Sequence, residues 1–206
     1  MSRITVTDLH SMATGLSAQS RYTLSFQLDG PGCLGLTGPS GSGKSLLLRA
    51  IADLDPSDGE VLLDGRDRNA FKAHEWRQLV GYLSADSAWW SDRVADHFEG
   101  QSPYGLELFG FDHDVMNWSI SRLSSGERQV LSLSRLLSRS PAALLLDEPT
   151  SSLDATRTGQ VEQLVADYAA THAAPVVWIS HDRDQLDRIA QRKLELDGNG
   201  GIRQLT

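Results

Sequence analysis

The sequence is short of several things that would fix its class at once. It has a single cysteine, Cys33, so it can form neither an internal disulfide nor a cysteine-rich zinc site. Cys33 sits in an apolar run and is expected to be a small core residue. No apolar stretch approaches the roughly 20 residues that span a bilayer. Met1-Ser2-Arg3-Ile4 lacks the apolar core of a signal peptide, and the expected location is cytoplasmic. Basic residues are in deficit, with 19 Lys and Arg against 27 Asp and Glu and a net charge of −8. A large nucleic-acid footprint is not expected from that balance. Heptad runs, internal repeats and low-complexity tracts are all missing.

The 206 residues suffice for one sizeable core. Ile4 to Thr7 and Tyr22 to Leu28 alternate apolar and polar residues, which predicts half-buried strands. Cys33 to Thr37 predicts a short strand, and Lys44 to Ala52 a helix. Pro56-Ser57-Asp58-Gly59 reads as a turn. Glu60 to Leu63 and Val80 to Leu83 read as strands. From about 86 to 122 the strand signals fade. Trp89, Trp90 and Trp118 fall there, with His97, His113 and short helical patches at Asp92 to Phe98 and Asp114 to Trp118. This reads as a small, mainly helical insert. Beyond it, Ser125 to Ser138, Ala155 to Thr171 and Arg183 to Gln191 read as helices. Ala142 to Leu146 and Val176 to Ser180 read as buried strands, and a closing hairpin joins Leu194–Leu196 to Ile202–Leu205. Strands alternating with helices predict an α/β fold with a mainly parallel sheet and an N-terminal antiparallel part.

Two segments carry chemistry on their own residues. Gly38-Pro39-Ser40-Gly41-Ser42-Gly43-Lys44-Ser45 matches the phosphate-loop pattern in full. Its glycines let successive N–H groups face phosphate oxygens, and the following helix adds its positive N-terminal end. Lys44 is placed to reach the β- and γ-phosphates of a nucleotide, and the Ser45 hydroxyl to ligate Mg2+. A chance match in a Gly/Ser turn is the bland alternative; the apolar strand before it and the helix after it argue against that. The second segment, Ala143 to Glu148, is a buried strand ending in two acids. Asp147 would hold magnesium through water, and Glu148 would polarise an attacking water. A third stretch, Leu123-Ser124-Ser125-Gly126-Glu127, offers N–H groups and the Ser124 hydroxyl at a helix start. Taken alone, it is equally a capping box.

With GPSGSGKS at 38–45, LSSGE at 123–127, LLLDEPT at 144–150, SSLD at 151–154 and WISHD at 178–182 in this order, the sequence resembles the ATP-binding subunits of bacterial ABC transporters over nearly its whole length. The resemblance implies a P-loop ATPase in one domain, with a core of 1–85 and 123–206 and the helical insert at about 86–122. It implies ATP and Mg2+ as ligands, and a head-to-tail homodimer that sandwiches two ATP molecules. An integral-membrane permease on a separate chain would be energised by that dimer, placing this chain at the inner face of the membrane. Ser124, Ser125 and Gly126, with Glu127 completing the signature, would face the γ-phosphate of the second copy. Asp154 would couple the two sites, and His181 would hold Glu148, the water and the γ-phosphate. The stretch 175–184 is similar to that of small ATPases associated with metal or iron export. Two alternatives stand beside the transport reading: a non-transport ABC-type ATPase and a nucleotide-dependent regulatory module.

The sequence also departs from the pattern. Ser125 and Glu127 replace a glycine and a glutamine of the usual LSGGQ. Leu46 belongs to the nucleotide contacts but stands where threonine is common. Ala85 stands where the family carries a magnesium-sensing glutamine, and Asp86 or Ser84 is expected to substitute through water. No aromatic residue is available in Leu9-His10-Ser11-Met12-Ala13 to stack on adenine, leaving Met12 or His10. Trp89-Trp90 would either grip the permease or pack inside the insert.

Overall fold

The computed structural model of the chain describes residues 1–12 and 22–205. Alternation builds the first sheet. Strand β1 (Arg3–Ser11) buries Ile4, Val6 and Leu9, and β2 (Leu24–Asp29) buries Leu24, Phe26 and Leu28. With β4 (Ser57–Leu63) and the short β5 (Arg66–Asp67) they form an antiparallel sheet in the order β2-β1-β4-β5. The expected turn at 56–59 is corrected here. Ser57 to Gly59 continue β4, with Asp58 opposite His10 and Ser57 opposite Ser11. The β1–β4 register shifts between Thr7 and His10, and Asp8 adopts φ 49°. Gly59 has φ 99°, and a Cβ there would meet the Asp8 carbonyl oxygen at 2.6 Å. The Pro-Ser-Asp-Gly run thus accommodates a β-bulge rather than a reversal.

The second sheet runs β10-β9-β3-β8-β7-β6, comprising β3 (Cys33–Thr37), β6 (Val80–Leu83), β7 (Ala143–Asp147), β8 (Val176–Ile179), β9 (Arg192–Leu196) and β10 (Ile202–Leu205). All its pairings are parallel except the β9–β10 hairpin. Strands β3, β7 and β8 are buried along their whole length, as continuous apolar runs require when both faces are covered. On one face, Leu145 and Val177 join a core with α1 (Lys44–Ile51) and the antiparallel sheet. On the other, Leu144, Leu146, Val176 and Trp178 pack with α3 (Ser125–Ser138), α4 (Ala155–His172) and α5 (Arg183–Ile189). The α/β expectation with its antiparallel N-terminal part holds.

Two features depart from the sequence reading. Helix α2 (Ala73–Leu79) was not anticipated; of its residues only Trp76 is buried, so it shows no apolar stripe. In 86–122 the two expected helical patches are tight 3-10 turns, at Val94–His97 and His113–Asn117; two more lie at Leu106–Phe109 and Ile120–Arg122, with no α-helix among the described residues. Left-handed Gly105 and Gly110 flank one of them and stop propagation. Among the described residues no helix is long and apolar enough to cross a membrane.

Cys33 is in the core, as expected, and burial pushes its thiol up to about 12. In the native chain at pH 8 it should therefore resist iodoacetamide and react only on unfolding in guanidinium. Stoichiometric labelling of folded protein would place Cys33 at an accessible surface instead.

Candidate functional site

The strand order assembles the site. β8 lies between β3 and β7, so three neighbouring parallel strands end at one edge. That is where open α/β sheets bind ligands. β3 delivers the phosphate loop, β7 delivers Asp147 and Glu148, and β8 leads through Ser180 to His181.

In the loop, Gly38, Gly41 and Gly43 all take positive φ, at 141°, 76° and 95°. Gly38 passes so close to β9 that a Cβ would meet the Leu196 carbonyl oxygen at 2.3 Å. Lys44 begins α1 and is buried, and its Nζ donates to the carbonyls of Gly38 and Pro39, both at 2.9 Å. Burial pulls this ammonium down in pKa, while Glu148 and Asp147 push it back up. The ammonium therefore spans the loop that it closes. Ser42 is buried with its Oγ lacking a hydrogen-bond partner. Pro39, Ser40 and Ser45 are exposed, and Leu46 is half-buried. Left-handed glycines, a bridging ammonium and an orphaned hydroxyl fit an oxyanion-binding loop.

Asp147 is almost fully buried at the end of β7. Glu148 follows in the left-handed region at φ 50°, a strained conformation for a side chain of its kind. Burial pushes its carboxyl above the usual range, opposed first by His181. His181 Nε2 stands 3.3 Å from Glu148 Oε1. The two are not aligned as a hydrogen bond, so Oε1 keeps a free acceptor lone pair. The structure thus brings Lys44, Asp147, Glu148 and His181 together. It gathers no group of three or more His, Cys, Asp or Glu able to hold a metal among the described residues. Ser45 and Asp147 supply hard oxygen donors, a set that suits Mg2+ when nucleotide phosphates complete it.

Asp86 is not drawn into that cluster; it and Ala85 are exposed, and the Ser84 hydroxyl donates to the Asp86 carbonyl at 2.6 Å. Met12 is exposed, and the His10 ring lies 3.3 Å from Asp58; Ala13 lies outside the described residues. At the start of α3, Glu127 Oε2 accepts from the Ser124 N–H at 2.8 Å and from its hydroxyl at 2.7 Å. Those bonds hold the Glu127 carboxyl below its usual range. Ser125 is exposed. Gly126 packs on the segment 152–153, with room for a Cβ only 3.1 Å from the Ser152 carbonyl. Asp154 caps α4, accepting from the Arg157 N–H at 2.8 Å.

Two contributors escaped the sequence reading. Tyr82 on β6 donates its hydroxyl to Asp147 Oδ2 at 3.2 Å; a tyrosine in the apolar run Val80 to Leu83 was the available signal. Arg135 lies over both Trp89 and Trp90, 4.7 and 5.0 Å from their ring centres. Both rings also meet the buried His97 edge-on. Trp89 is half-buried and packs against the core, whereas Trp90 is 64% exposed.

The chain is similar to known proteins in both sequence and fold. The family described as ABC transporter matches residues 22–151. The chain is 33% identical over 182 residues to the probable iron export ATP-binding protein FetA of Escherichia coli, covering 82% of this chain and 80% of that one. It is 36% identical to the aliphatic sulfonates import ATP-binding protein SsuB 3 of Rhodococcus jostii, covering 81% of this chain and 61% of that one. A solved structure of a bacterial Atm1-family ABC exporter with ATP bound superposes with a TM-score of 0.77 at 21% identity, covering 96% of this chain but 37% of that one. The chain thus spans most of the first relative and well under two thirds of the exporter. With fold, ordered motifs and relatives in agreement, the chain belongs to the ABC transporter family, as one of its ATP-binding, ATP-hydrolysing domains.

Proposed function

We propose that two copies of this chain close head to tail on two Mg-ATP molecules and drive a separate membrane permease. The observation that carries this is the meeting of Lys44, Asp147, Glu148 and His181 at one sheet edge. Backbone N–H groups of the loop and Lys44 hold the β- and γ-phosphates. Ser45 and, through water, Asp147 would hold Mg2+. When bound, that ion offsets phosphate charge. Glu148 takes a proton from the attacking water as the water oxygen bonds to the γ-phosphorus and the bond to ADP breaks. His181 keeps the carboxylate and the water in place. Ser124, Ser125, Gly126 and Glu127 of the second copy close the site, and Asp154 sits beside that turn through the 152–153 segment.

For the permease, support comes from the exposed Trp90 and from Arg135. Arg135 donates to the Ala88 carbonyl but pairs with no carboxylate among the described residues, while burial and Arg139 pull its guanidinium down to about 10. An apolar ring beside a cation that Glu99 offsets only in part suits an acidic, amphipathic segment of a partner. Identity with FetA supports metal or iron export as the cargo reading; the similar identity with an importer component leaves direction to the permease. Trp90→Ala is expected to weaken association with the membrane permease, read by co-purification in detergent, at unchanged basal ATPase. Equal association of variant and wild type would remove Trp90 from the interface, and a chain that hydrolyses no ATP would overturn the whole reading.

A further inference from the structure

We infer that Tyr82 is a positioning residue for Asp147, holding its carboxylate in the orientation that magnesium-ATP requires and tying it to the strand that leads into residues 84–90. The inference rests on the nucleotide reading above. Asp147 is 4% exposed, so protein groups rather than bulk solvent set the orientation of its carboxylate. Among the described residues its carboxylate accepts one side-chain hydrogen bond, from the Tyr82 hydroxyl at 3.2 Å. A buried carboxylate with a single donor depends on that donor for its rotamer.

The geometry keeps the pair together. β6 lies beside β7 in parallel register, Tyr82 opposite Leu145 and Leu83 opposite Leu146. In this pair the Tyr82 hydroxyl is the donor, because a carboxylate oxygen can only accept. Three positions further on stands Ala85, whose methyl group can neither donate nor accept a hydrogen bond. A displacement of residues 84–90 can still pull on β6, and through the Tyr82 hydroxyl on Asp147. The metal site is then linked to that surface by a residue inside the sheet, not by the side chain at position 85.

The test uses the full-length chain with Mn2+ as the probe. Tyr82→Phe keeps the ring and removes the donor. Mn2+ binding to the complex with a non-hydrolysable ATP analogue, followed by electron paramagnetic resonance, should weaken about tenfold in this variant, the size expected for one hydrogen bond to a charged group. Metal-free binding of the analogue and the far-UV circular dichroism of the folded chain should not change, which separates positioning from loss of the fold. Unchanged Mn2+ affinity would overturn the inference, as would an equal fall in metal-free binding. A wild-type chain whose nucleotide affinity is indifferent to Mn2+ would instead count against the phosphate and metal site itself.

Discussion

Glu148→Gln should lower ATP turnover about 10²–10⁴-fold, the span of a positioned general base, with ATP affinity retained. Gln preserves the size of the side chain and the backbone strain at φ 50° but cannot take the proton from water. The substitution also removes a buried carboxyl that burial disfavours in its charged form, so the folded chain should lose no stability. Since ATP stays bound, the variant should accumulate as an ATP-dependent pair of copies, read by light scattering with and without Mg-ATP. His181→Ala gives the control. Its ring approaches Glu148 Oε1 at 3.3 Å, so turnover should fall through misplacement of the base, with ATP affinity less affected. Retained turnover in Glu148→Gln would assign the base to another group, and a variant that stays single in ATP would oppose the two-copy site.

Trp76→Ala should destabilise the fold by about 3–5 kcal/mol, as expected for deleting a buried indole. The ring is fully buried, and its Nε1 donates to the Ile51 carbonyl at 2.9 Å. Ile51 ends α1, the helix whose first residue is Lys44. The indole therefore braces the far end of the helix that carries the phosphate loop. The variant leaves a cavity and an orphaned carbonyl together, and its melting temperature should drop by about 10 °C. Trp76→Phe restores part of the volume without the donor and should recover part of that loss. Little change in Trp76→Ala would mean that α2 contributes nothing to the core.

Trp76 also shows where sequence reading ends. Helix α2 buries one side chain of its seven residues, so nothing repeats at helical spacing. Gly59 marked a break in chain direction from its composition, yet it serves a bulge, which only the Asp8 carbonyl pressed against it reveals. The tight turns of 86–122 take their form from glycines and long-range packing, not from local apolar periodicity. The phosphate loop, the Asp147–Glu148 pair and His181 were legible because each follows an unbroken apolar strand, and strand ends are where polar residues gather in such a sheet. The Tyr82–Asp147 contact joins residues on two strands, and neither strand names its neighbour.

The Ser124–Glu127 contact changes what it means for the start of α3 to receive a phosphate. Both donors of Ser124 already have a tenant, the carboxylate three residues along their own helix. An arriving anion has to evict that tenant before it can settle. On the proposed two-copy reading, capture of a nucleotide becomes an exchange between negative groups, with Glu127 giving up its place to the arriving phosphate.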